Sequence, residues 1–194
     1  EGQVTGMATV LPQEDRARDI LQKAFDMGLG GLKLHVHVQC FDMNAVYMAP
    51  LYACCAENNR PLVIHAGREP KSEAYQCDPY RLCSSDRVEK IIKQFPDLKI
   101  CVPHLGFDET RAYQSLIETY DNLWLDTTMA ISDYFSFDGR IPLDRYRPDR
   151  IMYGSDFPNI PFAWDRELKV LANAGLSRDT LEKVTFKNAV DFFQ

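Results

Sequence analysis

The sequence predicts a parallel α/β fold of the (β/α)8, or TIM-barrel, type, incomplete by its first two βα units. Three observations predict it. Apolar runs of strand length alternate with stretches of helical periodicity at about 25 to 35 residues per unit, and alternating βα units imply a parallel sheet. Six such units fit the 194 residues, whereas a closed barrel takes eight units and about 250 residues. Three runs stop at a metal-capable side chain: Leu62-Val63-Ile64 at His65, Ile100-Cys101-Val102-Pro103 at His104, and Ile151-Met152-Tyr153-Gly154-Ser155 at Asp156. In an α/β barrel the C-terminal strand ends converge on one face, so these residues would surround one point. An open doubly wound sheet also holds six strands, but no glycine-rich phosphate loop follows the first one.

The elements follow in order. Residues 7–10 form a short apolar strand before Leu11-Pro12, and 13–27 a helix with Ala17, Ile20, Leu21, Ala24 and Phe25 on one face and Gly28 at its end. A strand covers 31–38. Pro50 starts a helix that runs to about Asn58, and 60–65 is again a strand. The polar stretch 66–84 is a long loop suited to substrate contact. Ser85-Asp86-Arg87-Val88-Glu89 carries helix-start chemistry, with Val88, Ile91, Ile92 and Phe95 as the apolar face. Strand 99–104, helix 108–120 and strand 123–127 come next. A second long loop spans 129–149, strand 150–156 follows, and helices over 162–174 and 178–193 close the chain, the last capped by Ser177. No linker or shift in composition divides the sequence, so 1–194 is one domain.

Composition narrows the function. The net charge is −6 with no basic cluster, which argues against a nucleic-acid or anionic-membrane partner. No apolar run approaches the roughly 20 residues of a membrane span. The six cysteines form no CxxC pair and are expected as reduced thiols of a cytoplasmic protein. The chain opens at Glu1 rather than Met, so a preceding segment is expected.

Neutral imidazole and carboxylate suit one divalent metal ion, zinc first, with manganese or iron as alternatives. A polar residue ending a strand can be an ordinary hydrogen-bonded group, and Asp156 in Gly-Ser-Asp-Phe-Pro can cap a turn. Three strand ends in a chain with four histidines favour a shared site. The other two histidines lie in Lys33-Leu34-His35-Val36-His37. At a period of two, Lys33, His35 and His37 share the polar face, turned into the barrel and suited to substrate contact; a metal-binding His35-x-His37 pair is the rarer alternative. Arg68, close behind His65, can grip a substrate carboxylate in two-pronged fashion. Asp126 ends its strand at the same mouth, and Arg81, Tyr134 and Arg140 in the long loops are within reach of a substrate. Gly106 after His104 permits a close approach of backbone or ligand.

Four segments together, Gly31-Leu32-Lys33-Leu34-His35, Pro61-Leu62-Val63-Ile64-His65-Ala66-Gly67, Val102-Pro103-His104-Leu105-Gly106 and Met152-Tyr153-Gly154-Ser155-Asp156-Phe157-Pro158, resemble the amidohydrolase superfamily. The similarity is to its branch of metal-dependent barrels that includes aminocarboxymuconate-semialdehyde decarboxylase. Asn188-Ala189 in the last helix fits it as well. The resemblance implies that His65 on strand five and Asp156 on strand eight bind the metal, and that His104 on strand six activates the bound water. Lys33 falls on strand four, where binuclear relatives carry a carboxylated lysine; no bridging role is assigned to it. The family's first strand ends in a His-x-His pair of ligands, and none precedes Met7, so that half of the shell is expected upstream.

The expected function is hydrolysis of a small, carboxylate-bearing substrate through metal-activated water. His65 and Asp156 act as ligands, His104 and Asp156 as the proton-handling residues, and Lys33, His35, His37 and Arg68 as substrate contacts. Decarboxylation by the same site is the alternative. Two further readings are a non-catalytic barrel module, and an open α/β protein that binds a small anion near Arg68. The partner is a small molecule, and a homo-oligomer is compatible with the composition.

Overall fold

Five short apolar runs pair side by side in the order in which they occur in the chain. The computed structural model describes residues 4–69, 72–132 and 143–194; Tyr134 and Arg140 lie outside them. The strands are β1 (Leu32–His35), β2 (Leu62–His65), β3 (Ile100–Val102), β4 (Leu123–Asp126) and β5 (Ile151–Met152), all parallel in the order β1-β2-β3-β4-β5. Helices precede, connect and follow them: α1 (Ala17–Asp26) before β1; α2 (Val36–Gln39), α3 (Ala49–Glu57), α4 (Pro79–Leu82), α5 (Ser85–Gln94) and α6 (Thr110–Thr119) between strands; α7 (Arg166–Ala172), α8 (Arg178–Glu182) and α9 (Asn188–Phe193) after β5. This is the parallel α/β arrangement of a partial barrel.

Alternation within the strands sorts their side chains. Leu32 and Leu34 of β1, and Leu62 and Ile64 of β2, are fully buried and belong to the main core, which also takes Leu21, Phe25, Val88, Ile92 and Ile117 from the helices. Each such side chain contributes roughly 1.5–3 kcal/mol by leaving water. Lys33, His35, Val63 and His65 face the other way. On that inner face Cys101, Trp124 and Met152 form a second, smaller cluster closed by Phe192 of α9. The register sets His35 directly beside His65, so the two polar strand ends are level.

All six expected strands are shorter than the sequence pattern suggests; 99–104 stops at Val102, which leaves His104 on the turn after β3, and hydrogen bonds explain the three largest losses. Residues 7–10 reduce to a single bridge between Ala8 and Leu32, and the Val10 carbonyl accepts from the Gln39 side chain instead (2.7 Å). The run 31–38 stops at His35, because Gln39 Oε1 takes the His35 N–H (2.8 Å) and the chain coils into α2. His37 is therefore not on the strand face shared by Lys33 and His35, but on a helical turn beyond it. The run 150–156 keeps only two ladder residues: the Tyr153 N–H turns to the Val184 carbonyl (2.7 Å) and the Gly154 N–H to Thr127 Oγ1 (3.3 Å). Asp156 thus sits in a loop four residues beyond β5.

The C-terminal helix forms as expected, with Ser177 Oγ accepting from the Thr180 N–H (3.1 Å) and a π turn over Lys183–Lys187 joining α8 to α9. Asn188 packs it down: its side-chain amide donates to the carbonyls of Pro148 and Ile151, each at 2.7 Å. All six cysteines are free thiols. Among the described residues no helix is long and apolar enough to cross a membrane.

Candidate active site

The C-terminal ends of β1 and β2 deliver His35 and His65, and α2 swings His37 back over them. The His35 and His65 rings stack with centroids 3.8 Å apart; His37 meets His35 edge-on at 4.5 Å and His65 at 5.2 Å. One ring nitrogen from each of the three lies within 4.8 Å of the others. Glu69 closes the group, its carboxylate touching His37 Nε2 and lying 3.7 Å from His65 Nε2. His37 is also bounded by the Tyr75 ring at 4.4 Å and by Cys83 Sγ, 3.6 Å from its Nδ1.

His104 completes the row from the far side of His65, with ring centroids 4.9 Å apart, and Phe107 lies against both rings. Its Nδ1 is 2.9 Å from the Thr128 carbonyl. A carbonyl only accepts, so the ring proton is on Nδ1 and the basic nitrogen is Nε2. Asp126 fixes the backbone around it: one carboxylate oxygen accepts from the N–H groups of His104 (3.1 Å) and Thr128 (3.0 Å).

The loops that carry His65 and His104 touch at two glycines. Gly67 has φ +106°, and a Cβ there would lie 2.5 Å from the Gly106 carbonyl oxygen. Gly106 has φ +82°, and a Cβ there would collide with the buried Tyr113 ring. The close approach expected at Gly106 is thus made by protein on both sides.

Burial decides the protonation of this cluster. It pushes His35 down to about 2, helped by His65, His37 and Lys33, and His65 down to about 4 against the pull of Glu69. Burial also lowers His104, opposed by Asp126 and the bond to Thr128. For Glu69 burial works against the charge, but the adjoining His37 and His65 imidazoles prevail and hold the carboxyl well below its usual range. Lys33 is lowered by burial and partly restored by Asp126, Cys101 and Asp156. Imidazoles kept neutral are the form that binds a metal. His35 Nδ1 and His65 Nε2 are buried with no hydrogen-bond partner, which a ligand-bearing site explains better than a core does. The cluster therefore fits a divalent cation.

The structure brings together His35, His37, His65 and His104. Asp156 stands outside the three-imidazole group; its field reaches His104 and Lys33, and its carboxylate accepts from the Asn159 amide at 3.2 Å. Arg68 leans on Glu109 (3.8 Å) and over the Tyr80 ring, and is half-exposed. Glu69 was not singled out from the sequence, although it stands four residues after His65; a glutamate in a polar loop gives little signal. Glu109 was also missed. It accepts from the N–H groups of Arg68 (3.1 Å) and Ser85, tying the loop after β2 to α5.

Histidines and carboxylates at the C-terminal mouth of a parallel barrel define a class of metal-centred barrel proteins. The amidohydrolase family pattern matches residues 1–194, and the chain belongs to that family. Among solved structures, an uncharacterised TIM-barrel protein from Bordetella bronchiseptica superposes with a TM-score of 0.74 at 19% identity, over 97% of this chain and 64% of its own. The 5-carboxyvanillate decarboxylase of Novosphingobium aromaticivorans, complexed with manganese and a substituted nitrobenzoic acid, gives 0.67 at 21% identity, over 97% and 64%. The 4-oxalomesaconate hydratase of Rhodopseudomonas palustris gives 0.66 at 15%, over 97% and 65%. The chain thus spans just under two thirds of the length of these three. No curated protein matches it.

Proposed function

We propose that this chain carries the working face of a metal-dependent enzyme that hydrolyses a small, carboxylate-bearing substrate. The observation that carries the reading is the row His37–His35–His65–His104, with ring nitrogens at His35 and His65 that are shielded from water and make no hydrogen bond in the protein. His65 and Asp156 would hold the cation, with zinc first and manganese or iron as alternatives for imidazole and carboxylate donors. When bound, it supplies Lewis-acid polarisation and a water acidified toward neutral pH.

The chain's own residues do the rest. His104, its Nδ1 proton engaged by Thr128, accepts a proton at Nε2 as water attacks the substrate carbonyl and returns it to the leaving group. Asp156 shares that proton traffic. Lys33, His35 and His37 form the polar wall, and Arg68, once turned from Glu109, meets the substrate carboxylate.

Decarboxylation is the second reading, favoured by the manganese-bearing decarboxylase among the structural relatives. There the bond between carboxylate and carbon breaks, carbon dioxide leaves, and the proton goes from His104 or Asp156 to the carbon left behind. A panel of small aromatic and aliphatic carboxylates, their esters and amides, assayed for both acid release and bicarbonate release, tests both. Turnover by the metal-loaded chain that drops about 100-fold or more in His104→Gln supports a shared proton residue. No turnover of any panel member by a protein with stoichiometric metal sinks the catalytic reading.

A further inference from the structure

We propose that Cys40 and Cys77 are a reversible disulfide pair, a modification site that fastens the loop after β2 onto α2 beside the mouth of the barrel. This site stands apart from the metal reading, because its chemistry needs neither a cation nor turnover.

The fold brings the two sulfurs together from elements far apart in sequence. Cys40 ends α2 in the left-handed region (φ +50°), and its thiol turns back to donate to the His37 carbonyl at 3.3 Å. Cys77 arrives in the loop after β2, immediately before Asp78, whose carboxylate caps α4 by accepting from the Tyr80 N–H (3.0 Å). The Cys77 thiol donates to the same His37 carbonyl at 3.2 Å. Helices α2 and α4 pack on each other, so both cysteines lie at the seam of one helix pair, and the thiols also bond to each other. Two sulfurs on one acceptor oxygen and in contact with each other need rotation about their side-chain bonds to reach the about 2.0 Å of a disulfide.

The other thiols are placed differently. Cys54 and Cys55 are neighbours on α3 and buried, Cys101 is buried in the inner-face cluster, and Cys83 is buried with its Sγ 3.6 Å from His37 Nδ1. Of the six, Cys40 and Cys77 alone are half-buried, and so open to an oxidant in solution. Burial and the bond to Cys40 push the Cys77 thiol up to about 11, so Cys77 rests as a thiol at neutral pH.

The oxidant is a low-molecular-weight disulfide such as glutathione disulfide. A thiolate of the pair attacks one of its sulfurs, forming a mixed disulfide and releasing one glutathione thiolate. The second protein thiolate then displaces the other glutathione. Two protein thiols are oxidised to one disulfide, one glutathione disulfide is reduced to two thiols, and the protons lost by the cysteines pass to the released glutathiones. The closed bond holds Tyr75, two positions before Cys77, on the His37 ring, where the centroids are 4.4 Å apart. The loop can then no longer swing away from the polar wall to which His37 belongs.

The test uses the full chain, reduced, desalted and incubated with glutathione disulfide. It is then unfolded in N-ethylmaleimide, and intact mass with peptide mapping counts the blocked thiols and locates the linkage. The expected result is two fewer blocked thiols than in the reduced chain, a linked Cys40–Cys77 peptide pair, reversal by dithiothreitol, and slower amide exchange over residues 72–78. Cys77→Ser should instead retain one glutathione on Cys40, because no second thiol displaces it, and Cys54→Ser should close the bond as the parent does. Should a variant fail to fold by circular dichroism, the peptide map of the unmodified chain decides. All six thiols blocked, glutathione adducts that never close, or a linkage through Cys83 overturns the inference. Closure with amide exchange unchanged over 72–78 overturns the fastening of the loop.

Discussion

His35 and His65 end neighbouring strands in register, and their rings stack with 3.8 Å between centroids and 13° between planes. Two stacked imidazoles cannot both carry charge cheaply, and burial pushes His35 down to about 2 and His65 to about 4. For a base lowered in the folded state, the unfolded chain binds more protons between the folded value and 6.5. Stability is therefore full above about pH 6.5 and falls as the pH drops toward 4. For His65 the interval corresponds to about 3 kcal/mol. Urea denaturation of the chelator-treated protein at pH 7.5, 6.5, 5.5 and 4.5 should show this decline, and His65→Gln should flatten it. An unchanged midpoint from pH 7.5 to 5.5 in the parent chain would remove the claim that these rings are buried and neutral.

Asp126 offers a second test. One of its oxygens joins the backbone N–H groups of His104 and Thr128, and so locks the loops after β3 and β4 to each other. Removing the acceptor leaves two N–H groups unpaired, at about 1–3 kcal/mol each where water cannot reach them. Asp126→Ala should therefore lose about 2 kcal/mol or more in chemical denaturation, and Asp126→Asn, which keeps an oxygen at that place, clearly less. Equal losses in the two variants would mean that charge, not the double acceptor, matters there.

The contact between Gly67 and Gly106 predicts a size limit. Gly67→Ala adds a methyl 2.5 Å from the Gly106 carbonyl oxygen at φ +106°, a backbone region that side chains avoid. The expected cost is roughly 2–4 kcal/mol, combining strain with the clash. Calorimetry should show a lowered Tm. Wild-type stability in Gly67→Ala would show that the two loops do not touch.

The parts of this site that can be read in the sequence are those set by alternation and chain order. His65 is legible because an apolar run stops at it. The side chains of Lys33 and His35 face inward because Leu32 and Leu34 claim the outer side. His37 is not legible in the same way. Val36-His37-Val38 continues the alternation, and the Gln39 side chain breaks the strand there by accepting from the nearby His35 N–H and donating to the distant Val10 carbonyl. Asp156 looks like a strand end in Ile151-Met152-Tyr153-Gly154-Ser155, yet the Tyr153 N–H is taken by Val184, more than thirty residues away. Glu69 reaches the histidines because the chain turns at Gly67, whose N–H bonds the Cys83 carbonyl. Local pattern thus shows which residues end strands, and tertiary hydrogen bonds determine how far each strand runs.

Glu167 offers a test of how the loop that holds His104 is kept in place. It lies in the first turn of α7, fully buried, and its carboxylate accepts from the Met129 N–H (3.2 Å) and from Ser132 Oγ (2.7 Å). Met129 is held at φ +58°, and the residue before it, Thr128, presents the carbonyl that engages His104 Nδ1. Loss of the carboxylate would release the Thr128 carbonyl, and with it the orientation of the imidazole. Glu167→Leu should cost about 2–4 kcal/mol, because a buried N–H and a hydroxyl lose their acceptor. Glu167→Gln, which retains an acceptor oxygen, should stay closer to wild type in stability while still loosening the loop. The informative readout is the His104 ring in a nitrogen-15 NMR spectrum. In the parent chain the proton stays on Nδ1; in Glu167→Leu the two ring nitrogens should move toward an averaged tautomer signal. A His104 signature unaltered in a folded Glu167→Leu protein would show that Thr128 is held without Glu167.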